Sequence, residues 1–285
     1  MICLLYTSDA EEISFSYQYT ILYTRIGGFD VYENGQLFCN RPLPAESCEG
    51  VFRYRKESEG TTRIEIYLPS NAEMTVWDFN FGAYTPVAEP QGKLILYYGD
   101  SMTQSAYTGT PSLSFATLAA RRTSSRFINR GVGSLFYDER ALDENDTVQP
   151  DIVFSQFAGN DLIKHKNGEV VFVDGKVQYN DMDALPELMD NAKAYLKKLQ
   201  RIYPGAKIYV ISRIWRALEL SPQRIEVEKA YIAETKKLAH ELGLNYIEGD
   251  TLGAHIRECH AQDEIHFTAL GGAMVADSLV KYINS

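Results

Sequence analysis

The stretch KLILYYGDSMTQS, residues 93–105, runs from an apolar strand straight into Gly99-Asp100-Ser101. Gly, Asp and Ser are favoured in turns, so one reading of this end is a plain turn. The other is a strand that delivers a reactive hydroxyl at its tip. The surrounding sequence decides between them. Downstream, apolar strands alternate with helical segments: LILYY, SLSFATLAARR, RFIN, DIVFSQF, ALPELMDNAKAYLKKLQRIY, AKIYVIS, PQRIEVEKAYIAETKKLAHELG, NYIE and TALGGAMVADSLVKYI. Strands that are apolar throughout and joined by helices imply a parallel sheet covered on both faces. Reacting groups in such sheets gather outside the carboxyl ends of the strands. Ser101 is placed at one of those ends, which favours chemistry over a bare turn.

Upstream, the period is two. In ISFSYQYTILY, Ile13, Phe15, Tyr17, Tyr19, Ile21 and Tyr23 fall on alternate positions, as on a strand with one buried face. FDVYENGQLF carries Asn34-Gly35 between two aromatic-rich arms, which predicts a hairpin with a type I′ turn. RIEIYLP and MTVWDFNF continue the alternation, and no amphipathic helix appears. The spacing predicts a small all-β sandwich, jelly-roll-like, over residues 1–90, and an α/β domain over residues 91–285. TPVAEPQGK, with two prolines and a glycine, is the expected joint.

A length of 285 residues permits a large core, and a formal charge of −10 with pI near 5.1 opposes nucleic acid and anionic membranes as partners. No apolar run approaches the ~20 residues of a membrane span. MICLLYTSDAEE has neither a basic start nor a long apolar segment, so a cytoplasmic location is expected. Cys3, Cys39, Cys48 and Cys259 form no CxxC pair and are read as reduced thiols, with a Cys39–Cys48 bridge left open.

A nucleophilic serine needs a base, a group that orients the base, and donors for the oxyanion. After DIVFSQF comes Ala158-Gly159-Asn160-Asp161, where Asn160 either offers an amide to an oxyanion or caps the next segment. After RFIN comes Arg130-Gly131-Val132-Gly133-Ser134, a turn whose N–H groups can face a ligand. Asp263-Glu264-Ile265-His266 places an acid three residues before a histidine, with Asp263 favoured over Glu264 as its partner. His255 and His260 read as surface residues, and His165 and His240 as solvent-facing. Asp100 reads as a brace for the turn.

These four blocks, Gly99-Asp100-Ser101-Met102, Asn129 to Ser134, Ala158 to Asp161 and Asp263 to His266, resemble in kind and order those of the SGNH or GDSL-type hydrolases. The resemblance covers the chain from about residue 93 onward. It implies a flavodoxin-like three-layer α/β/α fold with a parallel sheet, and a Ser101-His266-Asp263 triad cleaving esters. It also implies an oxyanion hole drawn from the Ser101 N–H, the Gly133-Ser134 pair with the donor at Ser134, and the Asn160 side chain. No metal or organic cofactor is needed. Ser134 replaces a usual glycine, which puts positive φ at a residue that resists it. Ala158 also replaces a glycine, and its methyl is expected to narrow the pocket. Some members, carbohydrate deacetylases and natural-product acyltransferases among them, are similar in carrying an N-terminal β-sandwich.

The expected function is hydrolysis of short-chain, acetyl, esters on a small-molecule or carbohydrate substrate, most simply carbohydrate O-deacetylation. The alternatives are an acyltransferase using the same acyl-enzyme and a non-catalytic glycan-binding protein. Tyr107 and Trp215 are candidate sugar-stacking residues. The Asp263 carboxylate is expected to raise the His266 pKa, and the front sandwich to border the Ser101 cleft.

Overall fold

The computed structural model describes residues 3–21, 27–44, 47–166 and 169–285. Tyr23, the end of the first alternating run, lies outside them. Among the described residues the front of the chain forms eight strands: β1 (Cys3–Ser8), β2 (Glu12–Ile21), β3 (Gly28–Glu33), β4 (Gln36–Pro42), β5 (Glu49–Arg55), β6 (Thr62–Tyr67), β7 (Ala72–Asn80) and β8 (Tyr84–Pro86). They make two antiparallel sheets, β4-β3-β6-β1-β8 and β5-β2-β7. One aromatic core, centred on Phe15, Phe29 and Phe52, lies between them. Phe52 stacks on Phe15 with ring centroids 4.8 Å apart and lies 5.0 Å from Phe29. At the β3–β4 turn Asn34 has φ 51° and Gly35 φ 85°, the two positive values a type I′ turn requires. The expected joint is shorter than TPVAEPQGK, because Thr85 and Pro86 pair with β1 as part of β8. Cys39 and Cys48 are free thiols, so no bridge links them.

The rest of the chain builds a parallel sheet from β9 (Leu94–Gly99), β10 (Arg126–Gly131) and β11 (Ile152–Gln156). Two short hairpins follow, β12 (His165–Lys166) with β13 (Glu169–Val170) and β14 (Phe172–Val173) with β15 (Lys176–Val177). Then come β16 (Lys207–Ile211) and β17 (Asn245–Ile247). The sheet order is β10-β9-β11-β16-β17, a doubly wound arrangement whose switch point falls between β9 and β11. The helices are α1 (Ser101–Gln104), α2 (Phe115–Arg122), α3 (Leu185–Ile202), α4 (Pro222–Glu241) and α5 (Ala269–Asn284).

Alternation along β9 feeds both faces of this sheet. Ile95 and Tyr97 pack with Phe115 of α2 and Leu279 of α5, while Leu96 and Tyr98 pack with Leu196 of α3. Each such fully buried apolar side chain contributes roughly 1.5–3 kcal/mol, which explains why the strand is apolar at every position. No helix of the described residues is long and apolar enough to cross a membrane.

The two sheet systems meet along residues 104–112. Buried Asp30 accepts the Ser112 N–H (2.8 Å), and the Tyr32 hydroxyl donates to Ser112 Oγ (2.9 Å). Asn40 Nδ2 donates to the Gly109 carbonyl (3.2 Å), and Gln104 Nε2 to the Ser70 carbonyl (3.3 Å).

Candidate active site

At the end of β9 the chain must turn against β11 with no room for a side chain. A Cβ at Gly99 would stand 2.2 Å from Thr103 Oγ1 and 2.6 Å from the Gln156 carbonyl oxygen. Asp100 then caps α1, its Oδ1 accepting the Met102 N–H at 2.8 Å. Asp100 is therefore the brace read from the sequence. Burial pushes its carboxyl up to about 7, against the Met102 N–H and the Arg216 charge that lower it. Ser101 is left as the first residue of α1, at the mouth of the switch point.

The loop before α5 brings His266 to that serine. His266 Nε2 is 2.6 Å from Ser101 Oγ and Nδ1 is 2.5 Å from Asp263 Oδ2. Asp263 Oδ1 also accepts the Ile265 and His266 N–H groups, both at 3.0 Å, which fixes the carboxylate before it meets the ring. With the proton held on Nδ1 by this carboxylate, Nε2 is the acceptor for the serine hydroxyl. Burial pushes the Asp263 carboxyl up, but the hydrogen bonds from the His266 ring and the two backbone N–H groups outweigh it and hold it below its ordinary value. The expectation of a raised His266 pKa is overturned. Burial, aided by His260, lowers it, and this outweighs the upward pull of Asp263.

Other histidines divide differently from the sequence reading. His260 is buried, not a surface residue: its backbone bridges to Phe267 and its Nε2 is 3.0 Å from the Trp215 carbonyl oxygen. His255 and His240 are exposed and His165 is half-buried. Glu264 faces away, with Oε1 2.8 Å from Arg257 Nη2. Tyr107 stacks on the His266 ring itself, centroids 4.4 Å apart and 16° between planes, so it packs against the imidazole. Trp215 stacks on His255 (5.0 Å, 10°) and does not line the Ser101 cavity. One face of the indole is covered by His255, and Trp215 lines a neighbouring cavity together with Arg213 and Arg216.

On the opposite side lies the glycine turn. A Cβ at Gly131 would meet the Gln104 N at 2.4 Å, so the turn lies tight against α1. Asn129 locks it, accepting the Gly131 N–H (2.9 Å) and donating to the Thr103 carbonyl (2.8 Å). The Gly133 N–H is committed to Gln104 Oε1 (2.9 Å), which removes Gly133 from the oxyanion set. Ser134 adopts φ 64°, the left-handed value expected to be hard for serine, at a cost of about 1–2 kcal/mol. Ser134 and Ser101 both line the cavity, and neither N–H has a backbone acceptor among the described residues. Asn160 lines it as well, with one amide N–H donated to the Leu135 carbonyl (3.0 Å), which aims the other. Ala158 also has positive φ, 85°, but its methyl is buried in the core beneath α3 and does not narrow the cavity.

The cavity holds about 270 Å³. Among the described residues none before Asp100 lines it, so the described front strands do not border the cleft as expected. They act from behind, through Gln104, which links Ser70 to the Gly133 turn, and through the hydrogen bonds to Gly109 and Ser112. The sequence reading missed the far wall: Tyr179 after β15, Arg213 and Arg216 after β16, and Arg224 in α4. Arg213 follows a strand's carboxyl end, the same signal that located Ser101 and Asn160.

Comparison with known proteins agrees with this fold. No curated protein matches the chain. Among solved structures, a GDSL-like lipase from Bacteroides ovatus ATCC 8483 aligns over 98% of this chain and 82% of its own, with 18% identity and TM-score 0.75. A family two carbohydrate esterase from Clostridium thermocellum, in complex with cellohexaose, aligns over 99% and 90% with 15% identity and TM-score 0.70. An acetyl xylan esterase from the rumen bacterium Butyrivibrio proteoclasticus aligns over 99% and 89%, at 14% and 0.69. At these identities the likeness is one of fold, and it includes the front sheets. Residues 97–274, which carry all four blocks, match the GDSL-like lipase/acylhydrolase family, so the chain belongs to that family of ester-bond hydrolases.

Proposed function

We propose that the protein hydrolyses short-chain esters, acetyl esters of carbohydrates first among them, through a covalent intermediate on Ser101. The observation that carries this is the continuous chain Ser101 Oγ, His266 Nε2, His266 Nδ1, Asp263 Oδ2, with links of 2.6 and 2.5 Å. Oγ attacks the ester carbonyl as its proton passes to Nε2. The oxyanion is received by the Ser101 and Ser134 N–H groups and the second Asn160 amide N–H. Collapse breaks the C–O bond, and the alcohol leaves with the proton from Nε2. Water then attacks the acyl-enzyme, His266 takes its proton and returns it to Oγ, and the acid departs.

The cavity, at about 270 Å³, is smaller than most ligand pockets and suits a short acyl group with a compact alcohol. The carbohydrate reading also draws on the esterases that share both parts of the fold. The division of the chain near residue 90 belongs to the same proposal, with the front unit supporting the 104–112 loop. A panel of p-nitrophenyl esters and acetylated sugars tests the reading. Release of acid from acetyl substrates, falling with acyl length, supports it; acyl groups moving wholly to an added alcohol would make the protein a transferase, and no turnover of any ester would end the proposal.

Asn160→Ala removes one of three oxyanion donors without touching the proton relay. The expected loss is about 10²-fold or more in kcat, roughly 3 kcal/mol, with little change in KM. A rate within threefold of wild type would take Asn160 out of the hole.

The pH profile follows from the burial of His266. The imidazole must be neutral to accept the serine proton, and its pKa is lowered, so kcat/KM should rise with pH through a limb below the ordinary histidine value of ~6.5 and stay flat above it. A limb centred above pH 7 with p-nitrophenyl acetate would mean that Asp263, not burial, dominates.

A further inference from the structure

The cavity beside Ser101 carries more positive charge than a neutral ester calls for. Arg213, Arg216 and Arg224 all line it, in a protein whose formal net charge is −10. Two of them share one acid: buried Glu228 lies with Oε1 2.6 Å from Arg213 Nε and Oε2 2.6 Å from Arg216 Nη2. Arg213 Nη2 also reaches Asp250 Oδ1 at 3.4 Å. The Arg216 Nε–H is buried and meets no acceptor among the described residues. Arg224 pairs with no carboxylate among the described residues, and its guanidinium carbon lies 3.4 Å from the centroid of the Tyr179 ring. An aromatic face holds a guanidinium in place yet leaves its in-plane N–H donors available.

The nearby acids do not cancel this arrangement. Asp161 accepts the Tyr137 and Ala158 N–H groups with its two oxygens, and Asp100 accepts that of Met102. Burial favours the neutral form of both carboxyls. Arg224 is thus a positioned cation, without a carboxylate partner among the described residues, that lines the same small cavity as Ser101.

We propose that the alcohol portion of the substrate bears a compact oxyanion, a carboxylate or a phosphate, received by Arg224 with Arg216 behind it. The protein then selects acetylated acidic sugars over neutral ones. This rests on the esterase reading above. A planar guanidinium fork matches both oxyanions, and in a cavity such a contact is screened less than on the open surface.

The test compares kcat/KM at low ionic strength for monoacetylated methyl glucoside, methyl glucuronoside and glucose 6-phosphate, with p-nitrophenyl acetate as the charge-free control. At least one anionic substrate is expected to exceed the neutral one about tenfold, the worth of a charge-assisted hydrogen bond; which one does so identifies the anion. Arg224→Gln should bring that ratio close to one and Arg224→Lys should keep part of it. The ratio is the readout because any general loss of activity cancels in it. A wild-type ratio near one, or a ratio unmoved in Arg224→Gln, overturns the anion subsite while cleavage of p-nitrophenyl acetate leaves the esterase intact. If no ester, p-nitrophenyl acetate included, is cleaved, the esterase reading fails by itself. Titration calorimetry of wild type with methyl glucuronoside, glucose 6-phosphate and methyl glucoside then decides the subsite: tighter binding of an anion supports it, and equal or weaker binding of both anions overturns it.

Discussion

Ser101→Ala is expected to lower kcat on p-nitrophenyl acetate by about 10⁶-fold, to the residual rate that oxyanion donors and binding alone sustain. No neighbouring hydroxyl can replace Oγ, because the tight turn at Gly99 and the Asp100 cap aim this one residue at His266 Nε2. The fold should survive. Oγ is a single atom, and its loss leaves Nε2 without a donor, a cost of about 1–3 kcal/mol at most. A thermal melt and a circular dichroism spectrum close to wild type, together with lost labelling by a fluorophosphonate, would fit. Hydrolysis within tenfold of wild type, in a sample free of contaminating esterase, would exclude Ser101 as nucleophile.

The parts of this arrangement that were legible in the sequence are those dictated by backbone and periodicity. Strands buried on both faces read as continuous apolar runs, so LILYY, DIVFSQF and AKIYVIS announced a parallel sheet, and β9, β11 and β16 form on them. Candidate reacting groups then had to be sought at strand ends, and Ser101 and Asn160 follow β9 and β11. Asn34-Gly35 marked its hairpin because few other pairs accept positive φ at both positions.

What the sequence concealed was the direction of side chains on loops. Nothing in residues 255–266 has a period, so His260 and His255 looked alike, yet one is buried against the Trp215 carbonyl and the other is exposed. Trp215 turned toward those histidines and away from the cleft for the same reason. Burial depth is equally absent from a local motif. An acid three residues before a histidine argues for a raised pKa, and only packing, here with Tyr107 over the ring, reverses the sign. The arginine wall joins Arg213 and Arg216, in the loop after β16, with Arg224 of α4, and the first two are held by Glu228 of α4, a pairing with no local sequence signal.

His266→Ala should cost nearly as much as Ser101→Ala, about 10⁶-fold in kcat, because the hydroxyl is a poor nucleophile without a base and the base is idle without the hydroxyl. Such dependence has a sharper consequence than either single loss. The double variant Ser101→Ala/His266→Ala should be no slower than the singles, since each already removes the whole relay, whereas independent contributions would multiply to about 10¹²-fold. His260→Ala supplies the contrast. Its ring packs against Trp215 and Phe267 and lies outside the relay from Ser101 to Asp263. Its loss should therefore lower the melting temperature and shift the pH limb slightly, since His260 is one of the groups that lowers the His266 pKa, while most of kcat remains. If His260→Ala abolished turnover in a folded protein while His266→Ala did not, the base would be His260 and the relay through Asp263 would have to be abandoned.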